Sequence, residues 1–351
     1  MVITNLEYRT SEHAKEKLIQ VASEPLYAEL KRLIERDGLL KPQPFYYGFK
    51  TILTLLMISS AWTILLVADS LWIKLLDIVY LSFATTQFCF IGHDAGHRQI
   101  FRSTRKNDIL GLINVLFVGA SYFWWMDTHN KHHSKPNQSP HDPAIDHSIL
   151  AFSQGEALSK TGIPRFLVKL QAWLFIPLMC LYPISIRIDS IRFFIQNRYK
   201  FRLLEAFLMF THFVLFFFLL FATVDFWTAI LFVAIHESLF GLYIASVFVP
   251  NHIGMVILND SNDLDFLNHQ VSTARNIKGR RFVEFWFGGL NYQIEHHLFP
   301  KMARNRLKKA KKIVEEFCRQ KSIQYYETTF LQSYREILTY LHQVSMGLRS
   351  S

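Results

Sequence analysis

Cysteine is scarce in this sequence, which has only three in 351 residues: Cys89, Cys180 and Cys318. An odd number of widely separated cysteines, some of them inside apolar segments, does not suit a disulfide framework. We therefore expect free thiols and a reducing compartment.

Charged residues are also few, at 19%, whereas 50% of the residues are hydrophobic and 32 are phenylalanine. This composition is more apolar than that of an ordinary soluble domain. Crossing the hydrocarbon core of a membrane takes about 20 apolar residues, and four runs are long enough: residues 49–68, 74–92, 203–223 and 226–249. Two other runs, 168–186 and 109–125, are broken by prolines or too short. We expect these two to form helices at the membrane interface or packed on the spans.

Lysine and arginine are absent from the two short connections, residues 69–72 and 223–225, although the net charge is +10. Lys74 is the only cation nearby. Two tight hairpins put both termini on one side of the membrane, and the positive-inside rule makes that side cytoplasmic. The basic charge then favours contact with anionic lipid. No base-reading module or zinc-finger spacing indicates binding to nucleic acid.

These features predict an all-α integral membrane protein with four transmembrane helices in two hairpins and a helical cytoplasmic domain. We divide it into an amphipathic cytoplasmic segment (1–45), a membrane domain (46–300) and a cytoplasmic helical tail (301–351). The first residues lack a signal-peptide pattern, so the first span is expected to direct insertion. The basic tail, with an apolar stripe from Leu307 to Phe317, predicts an amphipathic helix lying against the membrane.

Histidine, in contrast, is clustered. Eight of the 15 histidines fall into four tight groups just beyond the apolar runs: His93 and His97; His129, His132 and His133; His252; and His296 and His297. The second group and the phrase Gln293-Ile-Glu-His296-His297 repeat one spacing, i, i+3 and i+4, which places side chains on a single helix face. This repetition predicts a metal centre at a membrane surface.

Ligating histidines need a partner for their second ring nitrogen. Asp94, Asp127, Asp142 and Glu295 lie close enough in sequence to serve, although each also suits a structural or surface role. The proline-rich stretch 134–143 predicts a loop leading away from the site.

Three histidines outside the groups also bear on the site. His212 and His236 are expected at the same membrane depth, in an interhelical polar contact with Glu237 rather than on metal. His269 is either a further imidazole ligand or a residue that lies on the surface or supports the ligands from behind.

The order His-Asp-Ala-Gly-His, His-Asn-Lys-His-His and Gln-Ile-Glu-His-His around two hairpins resembles the membrane-bound fatty acid desaturases over about residues 45–300. The resemblance implies a non-haem di-iron enzyme that uses O2 and two electrons to insert a double bond into an acyl chain. It implies ligation by the histidines of the three boxes, and Asn251-His252 matches an additional histidine of the family. Gln293 takes the place of a histidine in many members. Glutamine there resembles the front-end group, which acts between an existing double bond and the carboxyl end, and favours delta-5 or delta-6 regiochemistry.

The resemblance further implies a lipid-linked or CoA-linked acyl substrate and an external electron donor, either ferredoxin or a cytochrome b-type haem protein with its reductase. A bacterial inner or thylakoid-type membrane and an endoplasmic reticulum both fit. Two aromatic segments, 123–125 and 285–287, are candidates for the walls of an acyl slot or for interfacial anchors.

Two alternative functions are open from the sequence. A hydroxylase, ketolase or sphingolipid-modifying oxygenase would use similar di-iron boxes. A membrane metal transporter would place its histidines along a pathway within the spans, whereas these groups gather beyond the helix ends.

Overall fold

The computed structural model describes residues 26–146, 148–262 and 264–349. Residues 26–36 form a helix, α1. Four long apolar helices follow in two pairs: α2 (Pro44–Val67) with α3 (Leu71–Gly96), and α10 (Arg202–Thr223) with α11 (Phe226–His252). These four are long and apolar enough to cross a membrane, which confirms the predicted spans. Residues 1–25 of the predicted amphipathic segment (1–45) lie outside the described residues.

The two hairpin turns lie together at one end of the bundle. Lys74 donates from its ammonium group to the carbonyl oxygen of Thr223 at 2.5 Å, which links the start of α3 to the end of α10. Asp225 caps α11 by accepting from the backbone N–H groups of Trp227 and Thr228. A cation at the last carbonyls and a carboxylate at the first amides of a helix are both favourable. The opposite end, where His93 and His252 lie, is called the histidine side below.

The spans α3 and α11 are longer than their apolar runs. At 1.5 Å per residue, the 27 residues of α11 extend about 40 Å, beyond the roughly 30 Å of hydrocarbon. Both helices are therefore long enough to extend their last turns beyond a hydrocarbon layer, and the last turns on the histidine side carry His93 and His252.

Two pairs of shorter helices connect the spans with the histidine side, and the two helices of each pair meet at a sharp bend. α4 (Thr104–Val118) meets α5 (Tyr122–Ser134) at 112°, and α7 (Gly162–Lys169) meets α8 (Gln171–Cys180) at 103°. Gly119 makes the first bend in the left-handed conformation (φ +71°), where a side chain would also strike His212. These elements agree with the predicted broken helices. Three further helices of this region are α6 (Gln154–Ser159), α9 (Tyr182–Gln196) and α12 (Phe266–Ser272).

The remaining helices are α13 (Arg281–Trp286), α14 (Gln293–Leu298), α15 (Arg304–Gln320) and α16 (Phe330–Val344). The apolar stripe of α15 does not lie against a membrane as the sequence predicted. Leu307 and Val314 are fully buried in a protein core with Leu30 and Ile34 of α1 and Leu298 of α14. An apolar stripe on a helix suits a lipid or a protein neighbour equally well. The predicted lipid neighbour was therefore wrong.

The C-terminal tail also packs more extensively on the rest of the protein than expected. α16 packs against α8 and α11, and its Ile337 and Leu341 are fully buried. Before it, β2 (Glu327–Thr329) pairs in parallel with β1 (Asn276–Lys278). This two-stranded pair is a small addition to an otherwise helical fold, and three-residue strands are too short to give a periodic pattern.

Candidate metal centre

The four histidine groups converge on the histidine side. α3 supplies His93 and ends at His97, α11 supplies His252, and α5 and α14 each present their histidines from one helix face. All eight rings are buried except that of His129, which is half-buried. The i, i+3, i+4 spacing therefore has the effect expected from helical geometry.

The first set of histidines is His93, His97, His129 and His296, whose candidate ligand nitrogens lie within 4.8 Å of one another. The Nε2 atoms of His97 and His129 are 2.9 Å apart. His93 Nε2 and both ring nitrogens of His296 are buried and have no hydrogen-bond partner among the described residues.

The second set is His132, His252 and His297, again within 4.8 Å. His133 belongs to neither set by this distance and lies between them. Its Nε2 is 3.1 Å from His129 Nε2, and its ring stacks on His297 with centroids 4.1 Å apart. The structure thus brings all eight histidines into one continuous cluster with two centres.

The residues present suit two metal ions. Metal–imidazole bonds of about 2.1 Å at right angles would separate two nitrogens by about 3.0 Å, close to the separations at His129. A metal would also satisfy His93 Nε2 and one of the two unpartnered nitrogens of His296. Burial and the neighbouring rings hold the pKa values of His296 and His297 well below the usual histidine value, so both rings are neutral, as metal binding requires.

Hydrogen bonds to the second ring nitrogen fix four of these rings. His93 Nδ1 donates to Asp94 (3.1 Å) and His132 Nδ1 to Asp142 (2.8 Å). In the same way His297 Nδ1 donates to the side-chain oxygen of Gln270 (2.9 Å), and His252 Nδ1 donates to the carbonyl of Thr273 (3.1 Å). At His93, His132 and His297 this bond leaves the Nε2 lone pair free to face the cluster, whereas His252 Nε2 lies 3.0 Å from the Gln293 amide nitrogen.

Asp142 reaches His132 because the proline-rich loop folds back onto the site, contrary to the prediction that it leads away. Asn137, in the same loop, donates to the carbonyl of His252. Asp142 also accepts from the backbone N–H groups of Asn137 and Ala144. Burial alone would raise the pKa of Asp142, but His132 and these hydrogen bonds bring it below its usual value. Asp142 is therefore ionised at neutral pH.

Gln293 and Asn251 lie beside the second set. Gln293 Nε2 is 3.0 Å from His252 Nε2, and Gln293 Oε1 accepts from the Asn251 amide at 3.1 Å. Asn251 also donates to the carbonyls of Val247 and Leu290. These contacts join the end of α11 to the start of α14.

Three other candidates lie away from the metal-facing nitrogens. His269 Nε2 donates to the carbonyl of Pro136 at 2.9 Å and is in neither set. Asp127 forms an exposed ion pair with Lys131, and Glu295 accepts from Asn276 and Tyr325. The sequence analysis considered His269 beside the cluster and missed its neighbour Gln270. In the structure, Gln270 is the one that contacts a clustered ring, that of His297. A lone glutamine carries no pattern that would have identified it.

Each of the two histidines in the membrane region makes an interhelical polar contact, as expected, but with Thr85 or Leu116, and the Glu237 contact is made only by His236 within its own helix. His236 lies 3.4 Å from the Thr85 hydroxyl and 3.2 Å from Glu237, which pairs with Arg187. His212 contacts the carbonyl of Leu116 instead of His236. Elsewhere His141 pairs with Asp260 and His342 is exposed, while His13 and His147 lie outside the described residues.

An apolar cavity of about 710 Å³ runs along α3 and α11. Its walls include Leu76, Phe83, Leu242 and Trp286. Trp286 comes from one of the two aromatic segments suggested as walls, whereas none of residues 123–125 lines this cavity. The Trp125 ring instead stacks on His129, with centroids 4.4 Å apart.

Three polar side chains of the cavity wall, Tyr243, Ser246 and Trp286, form a connected hydrogen-bond network. The Tyr243 hydroxyl accepts from Gln87 at 2.7 Å and donates to the Trp286 carbonyl at 3.0 Å, while the Trp286 indole donates to Ser246 at 3.1 Å. Ser246 lies six residues before His252, or about 9 Å along α11. The cavity therefore ends near the histidine cluster and presents an apolar surface.

Comparison with known proteins adds a family relationship. A family model described as fatty acid desaturase matches residues 47–329. An acyl-lipid (9-3)-desaturase of Physcomitrium patens is 28% identical over 350 residues, covering 91% of this chain and 62% of the relative. A delta(8)-fatty-acid desaturase 2 of Arabidopsis thaliana is 28% identical over 301 residues (79% and 66%). A delta(6)-fatty-acid desaturase of Caenorhabditis elegans is 28% identical over 339 residues (92% and 76%). The chain thus spans less than two thirds of the length of the first two relatives.

Proposed function

Because the chain belongs to the fatty acid desaturase family, we propose that it is an O2-dependent acyl desaturase that introduces a cis double bond into a carrier-linked acyl chain. The observation that carries this proposal is the convergence of eight histidines in two adjacent sets beside the end of an apolar cavity. Such a site combines redox metal chemistry with room for a hydrocarbon chain.

We propose iron as the metal, with two ions per chain. The proposed ligands are the eight clustered histidines and Gln293, which would bind through its side-chain oxygen, since that oxygen accepts from Asn251 with one lone pair and keeps a second. Asp94 is assigned to orient His93, and Asn251 to hold Gln293. His269 is assigned to the surrounding structure because its Nε2 is engaged by Pro136.

Iron bound by neutral imidazoles supplies the oxidising power to remove hydrogen from an unactivated methylene with O2, which a redox-inert metal does not. Overall, two hydrogens leave adjacent carbons, and O2, two external electrons and two protons complete the formation of two water molecules. The protein holds the rings in one tautomer through Asp94, Asp142 and Gln270. The apolar cavity binds the chain and keeps water from its walls.

The front-end class, of delta-5 or delta-6 type, is supported by Gln293 and by relatives named delta(6), delta(8) and (9-3) desaturases. The length of the cavity along α3 also supports it. Leu76 lies seventeen residues before His93, or about 25 Å along α3. A bond formed near the carboxyl end leaves a long methyl-side segment, and a deep cavity within the membrane suits that segment.

We further propose that the histidine side and both termini are cytoplasmic. The two hairpin turns contain no lysine or arginine, and Lys74 is the only cation near them. Electrons then come from a cytoplasmic ferredoxin or cytochrome b-type donor. The division into residues 1–45, 46–300 and 301–351 is retained as a functional proposal, with the last segment supporting the third histidine box.

Lipid analysis of a host that expresses the chain tests the function. Cells with the chain or with a His296→Ala variant are fed saturated, monoenoic and dienoic acids, and double-bond positions are determined by gas chromatography–mass spectrometry. We expect a new bond on the carboxyl side of an existing one, absent from the variant. A new bond in a saturated chain would overturn the front-end assignment, and hydroxylated products with bound iron would indicate the hydroxylase alternative.

A further inference from the structure

A second cavity, of about 870 Å³, opens on the histidine side between α13 and α15. Six cationic side chains line it, against three glutamates: Lys278, Arg280, Arg281, Lys308, Lys311 and Lys312. We call this the basic cleft. It reaches Tyr292, the residue immediately before α14, so its floor adjoins the third histidine box.

Half of these cations already have carboxylate partners. Lys278 and Lys311 pair with Glu327, and Lys308 pairs with Glu284 at 2.5 Å. Within the described residues, no carboxylate lies within ion-pairing distance of the exposed Arg280, Arg281 and Lys312. Three exposed cations facing one cavity leave an uncompensated positive charge, which favours an anionic ligand.

The position of α13 relates the cleft to the apolar cavity. Arg281 and Phe282 at its start line the basic cleft, whereas Trp286 at its end lines the apolar cavity. Five residues of helix span about 8 Å. One elongated ligand, with an anionic group joined to a hydrocarbon chain, is therefore long enough to occupy both.

The same helix also has the character of a membrane interface. Phe282 and Phe285 are 70% and 47% exposed, and the Phe285 ring lies 5.8 Å from the Lys50 ammonium group near the start of α2. Exposed aromatic rings beside cations are typical of the headgroup level of a bilayer. These features suit a position of the basic cleft at the level of lipid phosphate groups.

We propose that the basic cleft binds the phosphate group of the acyl carrier while the acyl chain lies in the apolar cavity. This rests on the proposed function, because it concerns the carrier of the same acyl substrate. Arginine and lysine bind phosphate through charge-assisted hydrogen bonds, with arginine offering paired donors. A phospholipid and an acyl-CoA both carry such a phosphate.

Ligand binding to the purified full chain in non-ionic detergent tests this by native mass spectrometry. The probes are dioleoyl phosphatidate, oleoyl-CoA and, without phosphate, dioleoylglycerol. The variant Arg280→Gln/Arg281→Gln/Lys312→Gln should lose about tenfold or more in affinity for at least one phosphate-bearing probe, since it removes the charge-assisted hydrogen bonds to the phosphate. Dioleoylglycerol binding should not change. The probe that the wild-type chain binds more tightly identifies the carrier class.

The matched control is Arg102→Gln/Arg105→Gln/Lys106→Gln, which removes three exposed cations from the segment at the start of α4. An equal loss in both triple variants would show general charge attraction and overturn the proposal. Unchanged lipid binding with lost reduction by an acidic donor protein would assign the cleft to that partner instead. The single variant Lys312→Gln serves if the triple variant does not fold. Binding requires no turnover, so these outcomes are separate from failure of the desaturase proposal.

Discussion

Arg304 and Asp94 form an ion pair in the protein interior, with Arg304 Nε 2.8 Å from Asp94 Oδ2 and side chains 6% and 2% exposed. Asp94 also accepts from His93, and Arg304 is the first residue of α15. The pair therefore connects the first histidine box with the helix that follows the third. Two segments about 200 residues apart in sequence are fixed to each other beside the metal-facing rings.

Removing the arginine should destabilise the protein strongly. Arg304→Met leaves the buried Asp94 carboxylate without its cation, which typically costs about 3–5 kcal/mol. We expect a clearly lower thermal unfolding midpoint of the detergent-solubilised chain. Lys309→Met, which removes an exposed cation from the same helix, is the control. Equal midpoints for the two variants would contradict the structural role of the pair.

The two aspartates near the second histidine box should differ in their effect on metal. Asp142→Asn weakens the hydrogen bond that orients His132, and losing such a partner typically reduces metal affinity about 10–100-fold. Asp127→Asn only removes an exposed ion pair with Lys131 and should leave affinity unchanged. Competition with a chelator followed by metal analysis measures both. A larger effect of Asp127→Asn would contradict the role of Asp142 in orienting His132.

His269 and Gln270 are adjacent but should behave oppositely. Gln270→Ala removes the acceptor of His297 Nδ1 and a donor to the His133 carbonyl, so we expect weaker iron binding. His269→Ala removes a hydrogen bond to Pro136 and should leave the iron content near two per chain. Iron per chain, measured on both purified variants, decides the point. Loss of one iron in His269→Ala would make His269 a ligand after all.

Filling the apolar cavity should reduce activity without removing metal. Leu242→Trp places a bulky indole ring in the cavity, so a bound acyl chain loses space. Overpacking of this kind costs about 1–3 kcal/mol. We expect turnover of long acyl substrates to fall about tenfold or more, with iron content unchanged. Ile230→Trp, on a partly exposed face of the same helix, is the control. A similar loss in both variants would show that the cavity does not hold the chain.

Strong periodic features could be predicted from the sequence. The four spans, the hairpins and the convergence of the histidine groups follow from run length and from i, i+3, i+4 spacing. The partner of each surface could not be predicted. The stripe of α15 packs on α1 and α14 instead of on lipid, and the loop carrying Asp142 turns back to His132. Such choices depend on tertiary contacts between distant segments, as does the role of Gln270, for which no local pattern exists.

Metal analysis of the purified chain tests whether the two histidine sets hold iron. We expect two iron ions per chain by elemental analysis after reconstitution with ferrous iron, and a loss of iron in both His296→Ala and His252→Ala, since each removes a proposed ligand from a different set. A wild-type chain that binds no iron under these conditions, or two variants that keep their full iron content, would contradict it.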